Sequence, residues 1–159
     1  MTRQSWSRAT RGNVSLSSPE VLDFGAQPVE LELRFYNHRV EGWWYAGSSL
    51  WLRPLHGDDY LHVRVDNGSQ IRLENRETAA TGFQKAILPY QPLAANTWHT
   101  LKLRLDRTTD WLEVDGKLLG EGPHDLAFTQ GKLALSQWSG HLGHGDVWKI
   151  DYLRLRPAP

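Results

Sequence analysis

Trp43, Trp44 and Tyr45 stand in a row between Gly42 and Gly47, and a series of polar and aromatic side chains follows at strand-like spacing: Trp51 with Arg53, His62 with Arg64, Arg72 with Glu74. Aromatic faces stack on the C–H faces of pyranose rings, while guanidinium and imidazole groups hydrogen-bond to hydroxyls in the ring plane. Side chains of an extended segment alternate, so two adjacent tryptophans cannot both enter one core, and at least one of Trp43 and Trp44 is expected at the surface. The aromatic triplet is therefore read as a binding rim, with packing as a loop plug the alternative. Trp138 and His141 border the glycine-rich stretch at 139–145 and are expected to close the opposite side. The bland reading of the strand residues is a solvated sheet face carrying ion pairs such as Arg72 with Glu74.

Other constellations carry less. Asp110, Glu113 and Asp115 lie close in sequence, but Asp115 precedes Gly116 and is committed to a turn, so no catalytic pair is read there. His141 and His144 are three apart, and metal ligation needs at least one more convergent donor. No catalytic residue, no bound metal and no cofactor are expected. Cysteine is absent, which removes disulfides and thiolate chemistry. The 18 basic and 18 acidic side chains cancel, so no net field draws the chain to nucleic acid or an anionic membrane. Thirteen of the cations are arginine, whose planar fork suits carboxylates, sulfates and vicinal hydroxyls.

These side chains must be placed by strands. Val29, Leu31, Leu33 and Phe35 alternate with polar residues, as do Leu61, Val63 and Val65, then Ile71 and Leu73, then Leu101, Leu103 and Leu105. Asp115-Gly116 can take the positive φ angles of a tight turn and reverses the chain between Leu112-Val114 and Lys117-Leu119. Two short strands are expected within 14–24, separated at Ser17-Ser18-Pro19, a weaker one at 83–88 before a proline-containing connector, a loop at 120–130, and closing strands near 132–138 and 147–156. Trp6, Trp111 and Trp148 are read as packing residues. About eleven short strands and no helical period predict an antiparallel sandwich or barrel. A flexible lead-in over 1–13 and one domain over 14–159 are expected, a size that buries roughly 70% of the unfolded surface. No run approaches the eighteen apolar residues of a membrane span, and Met1 to Ser18 lacks the apolar stretch of a secretion signal. Export would rely on a larger parent protein, and an extracellular or cell-surface site is then favoured.

Four stretches carry a resemblance: residues 47–53, 60–66, 96–101 with 114–118, and 131–135 with 148–154. Together they resemble the concanavalin A-like lectin and glucanase jelly roll, including its laminin G-like and 3-keto-disaccharide hydrolase branches. The resemblance implies an all-β, antiparallel two-sheet sandwich whose ligands lie on the concave sheet face or its rim, and it puts Trp98 at the family's structural tryptophan position, where it is expected in the core. It also leaves room for a structural calcium ion near Asp58, Asp59 or Asp66. The expectation is thus a noncatalytic carbohydrate-binding module of a larger protein, with Trp43, Trp44, Tyr45, Trp51, Arg53, His62, Arg64, Arg72, Glu74, Trp138 and His141 meeting a glycan. A hydrolase of the 3-keto-disaccharide type and a protein-binding adhesion module are the alternatives.

Overall fold

The computed structural model describes residues 14–37, 46–57, 59–66, 70–76, 84–123, 126, 128–139 and 148–159; residues 14–19, 46, 75–76, 84–90, 137–139 and 148 are described as backbone alone. Eleven strands run through them: β1 (Val14–Asp23), β2 (Val29–Asn37), β3 (Ala46–Pro54), β4 (Tyr60–Asp66), β5 (Gln70–Arg76), β6 (Gln84–Pro92), β7 (Thr97–Leu105), β8 (Thr109–Val114), β9 (Lys117–Pro123), β10 (Gln130–Ser139) and β11 (Trp148–Pro157). A front sheet has the order β1-β10-β3-β4-β5-β6 and a back sheet the order β11-β2-β7-β8-β9. Every pairing is antiparallel.

The alternation read in the sequence decides which side of each strand meets the other sheet. Leu50 and Leu52, Leu61, Val63 and Val65, Ile71 and Leu73, and Leu133 and Leu135 form the inner front face. Leu31, Leu33 and Phe35, Leu101, Leu103 and Leu105, and Leu112 and Val114 answer from the back sheet. Each fully buried aliphatic side chain contributes about 1.5–3 kcal/mol of transfer free energy, so this seam is the main source of stability. A slip of one residue in any pairing would turn its apolar row to water, and the register is fixed for that reason.

Within the strands, prolines fall on edge strands or, at Pro54, on the last residue of central β3. Proline cannot donate to a ladder, and the four edge strands β1, β6, β9 and β11 contain Pro19, Pro89 with Pro92, Pro123 and Pro157. The expected break at Ser17-Ser18-Pro19 is instead a register shift between Ser17 and Val21 inside one continuous β1. The expected connector after residue 88 is strand as far as Pro92, and β9 extends into the expected loop to Pro123. In both places an edge position tolerates what a central strand would not.

Asp115 and Gly116 turn with φ of 53° and 78°. The Asp115 carboxylate also reaches back to β7: Oδ1 accepts from the Thr100 amide at 2.9 Å, and Oδ2 lies 2.6 Å from His99 Nδ1. His99 Nε2 meets the Ala94 carbonyl at 2.7 Å, which also accepts from Asn37 Nδ2 at 3.1 Å. This chain of contacts, buried at His99 and Asn37 and open at Asp115, ties the hairpin to the entry of β7 and the end of β2.

Candidate functional site

The side chains that alternate outward from the front-sheet core meet in rows set by register. Trp51 lies opposite Ala134 on β10 and His62 on β4, and His62 lies opposite Glu74 on β5. Ser49 pairs with Ser136 and Arg64, and Arg64 with Arg72. Arg53 lies opposite Lys132. The sequence-derived residues Trp51, Arg53, His62, Arg64, Arg72 and Glu74 therefore share one face of one sheet.

Their contacts make a layered cluster. The Trp51 ring packs edge-on to His62 at 4.1 Å and to Tyr60 at 4.9 Å, and Tyr60 stacks parallel to His62 at 5.2 Å. Trp51 Nε1 donates to Ser136 Oγ at 2.5 Å across the small Ala134 position, and the Arg53 guanidinium lies 4.7 Å from the indole centroid. Beneath them His62 Nε2 is 2.5 Å from Glu74 Oε2, while Arg72 Nη2 pairs with Glu74 Oε1. Arg64 Nε pairs with Asp66 Oδ1 at 2.6 Å.

Burial separates support from contact. The side chains of His62 and Glu74 are each 1% exposed, whereas Arg64 and Arg72 retain 29% and 19%, and Arg53 is open to solvent. His62 and Glu74 thus orient the layer above them. Desolvation pulls His62 below its ordinary value, against the opposing pull of Glu74. Burial alone would raise Glu74, but the His62 hydrogen bond and the Arg72 and Arg64 charges outweigh it and hold the carboxyl low. A neutral imidazole beside an ionised carboxylate satisfies both directions.

Several expectations land elsewhere. Trp43, Trp44, Tyr45 and His141 lie outside the described residues, and Trp138 is placed by backbone alone, opposite Gly47. Trp98 is not in the core: it is 42% exposed on the outer back face, edge-on to Tyr36 at 5.6 Å. Its parity with Lys102 and Arg104, opposite to the leucines of β7, shows why. The hairpin carboxylates do not converge, because Asp110 points inward with Leu112 and Val114, Glu113 faces outward and Asp115 sits in the turn. Asp110 is therefore not part of a solvated hairpin; burial, helped by the nearby Asp106 charge, pushes its carboxyl up to about 8. Among the described residues no group of three or more potential metal ligands gathers, Asp66 is engaged by Arg64, and Asp58 lies outside them.

Tyr60, Ser136 and Lys132 complete the front cluster although the sequence reading did not select them for the site. Tyr60 shares the outward parity of His62 and Arg64, a signal present in the alternation. Ser136 and Lys132 become neighbours of Trp51 and Arg53 only through the β3–β10 pairing, whose partners are about eighty residues apart.

No protein-family description matches the chain, and no curated protein matches it by sequence. Solved structures do match its shape. The carbohydrate-binding module CBM66 from Bacillus subtilis aligns with a TM-score of 0.58 and 17% identity over 83% of this chain and 77% of that one. A beta-glucanase from Bacillus licheniformis aligns at 0.64 and 13% identity, covering 93% and 79%. Sheep galectin-11, in complex with glycerol, aligns at 0.55 and 11% identity, covering 94% and 100%. The two antiparallel sheets, their strand order and these likenesses give the chain an antiparallel two-sheet jelly-roll β-sandwich fold.

Proposed function

We propose that the chain is a noncatalytic glycan-binding module whose ligand lies across β10, β3, β4 and β5 on the outer face of the front sheet. The observation that carries this reading is the layered cluster: Trp51 and Tyr60 are held by a buried His62–Glu74 pair and bordered by Arg53, Arg64 and Arg72. Aromatic surface packs the apolar face of a sugar, and fixed guanidinium forks donate to its hydroxyls. Pre-organisation by the buried pair lowers the ordering cost of binding. Fold neighbours whose names include a carbohydrate-binding module, galectins and glucanases support the same class. Trp43, Trp44 and Tyr45 would extend the surface at its rim.

A glycan array probed with the wild-type chain and with Trp51→Ala, with and without chelator, tests the reading. Binding that falls at least about tenfold in the variant, a loss of about 1.4 kcal/mol, is expected, with the thermal midpoint little changed. Absence of any saccharide binding overturns the proposal. Release of reducing ends or keto sugars, abolished by Glu74→Gln, would establish a hydrolase instead. Capture of a protein partner that free sugars do not compete away would favour an adhesion module.

A further inference from the structure

Resting on the glycan reading above, we infer that the ligand is an acidic glycan bearing uronate carboxylates, and that Arg53 and Lys132 are the residues that read its charge. Among the residues whose side chains are described, four cations lie on the outer front face, and two are matched there: Arg64 by Asp66 and Arg72 by Glu74. Arg53 and Lys132 are both exposed, stand directly opposite each other on β3 and β10, and form no ion pair among the described residues. Like charges at opposed positions of neighbouring strands repel, so the folded chain holds an unfavourable pair that a bound anion would relieve. The whole chain is formally neutral, which makes this excess a local property of the face.

The position of the pair matters as much as its charge. The Arg53 guanidinium rests 4.7 Å from the centroid of the Trp51 ring, and Trp51 packs on Tyr60, so the cation borders the aromatic surface where a sugar would sit. A uronate carboxylate leaves its ring near the ring plane, and a sugar packed on these aromatics presents that group sideways to the bordering cations. An arginine fork meets the two oxygens of a planar carboxylate in parallel, with Lys132 supplying a second charge beside it. Close approach of the two strands here depends on Gly131, where a Cβ would fall 2.5 Å from the Arg53 carbonyl oxygen.

The test measures affinity for oligogalacturonate, oligoglucuronate and alginate oligomers, each beside its fully methyl-esterified form, together with a sulfated and a neutral galacto-oligosaccharide. At least one uronate should bind about tenfold or more tighter than its ester at low salt, with the gap narrowing as salt screens the pair. Arg53→Gln and Lys132→Gln should each shrink that gap while the affinity for the ester persists. Arg154→Gln, which makes the same charge change on the exposed back sheet, should leave it intact. Equal affinity for acid and ester, preference for the sulfated or neutral sugar, or an acid preference that survives both front-face variants would overturn the inference while leaving the glycan reading standing. Failure to bind any saccharide would overturn both.

Discussion

The outer faces of the two sheets are built by the same alternation of apolar and polar residues, yet they handle charge in opposite ways. On the back sheet, Glu30 pairs with Arg156, Tyr152 donates to Glu32 at 2.6 Å, Arg34 lies 3.6 Å from Asp151, and Lys102 lies 3.4 Å from Glu113. These contacts join β11 to β2 and β7 to β8 by opposite signs, and the arginines among them are mostly in water. On the front sheet the carboxylate of Glu74 is sealed in, aromatic rings lie over its histidine partner, and Arg53 and Lys132 at the margin have no ion pair among the described residues. The back face pairs most of its charges across strands in the open, leaving Arg104 and Lys149 without an ion pair among the described residues, whereas the front face buries its central carboxylate beneath an aromatic layer.

Removing a carboxylate from each face should expose the contrast most strongly. Glu74→Ala removes the buried carboxylate that faces both His62 and Arg72, and breaking a buried pair in this way costs about 3–5 kcal/mol. Urea denaturation should show that loss, accompanied by loss of glycan binding. A cost below about 1 kcal/mol would mean that the front cluster is no more demanding than an exposed ion pair.

Acidity should separate the faces next. His62 is held below its ordinary value, so on acidification the unfolded chain takes up its proton first, and stability falls as pH drops below about 6.5 toward the folded value. Arg64 and Arg72 favour the neutral ring, and Glu74 opposes them. Glu74, also held low, extends the loss as pH falls further. The back sheet has the opposite sensitivity, because the hydrogen bond to Glu32 raises Tyr152, whose contribution is lost only as pH rises above about 10. His62→Gln, which keeps a donor toward Glu74, should flatten the urea midpoint between about pH 7.5 and 5.5. An unchanged slope would remove His62 as its source.

The smallest effect belongs to the back-sheet ion pairs. Glu32→Gln should cost about 1 kcal/mol or less, since its arginine partners are exposed and retain water, and its loss should leave glycan affinity unchanged. A larger cost in the same urea assay would show that they act as a cooperative network and not as separate surface pairs.

Much of this architecture could be read from the chain alone. The alternation around Leu33, Val63, Ile71 and Leu103 assigned the inner face, and Asp115-Gly116 assigned the hairpin, because side-chain parity and turn stereochemistry are local properties. Trp98 was legible by the same parity, and only the expectation of a structural tryptophan set that signal aside. The strand margins were less legible: proline at 19, 89 and 123 reads as a break unless the strand is known to lie at an edge.

Composition and local periodicity by themselves determined an antiparallel sandwich or barrel and the set of outward residues on β3, β4 and β5. Only the tertiary structure decided that His62 and Glu74 are buried supports, and that Lys132 and Ser136 join Arg53 and Trp51. Those outcomes depend on which strands pair across long separations and on what excludes water from a sheet face. Neither property is carried by any window of sequence short enough to show a period.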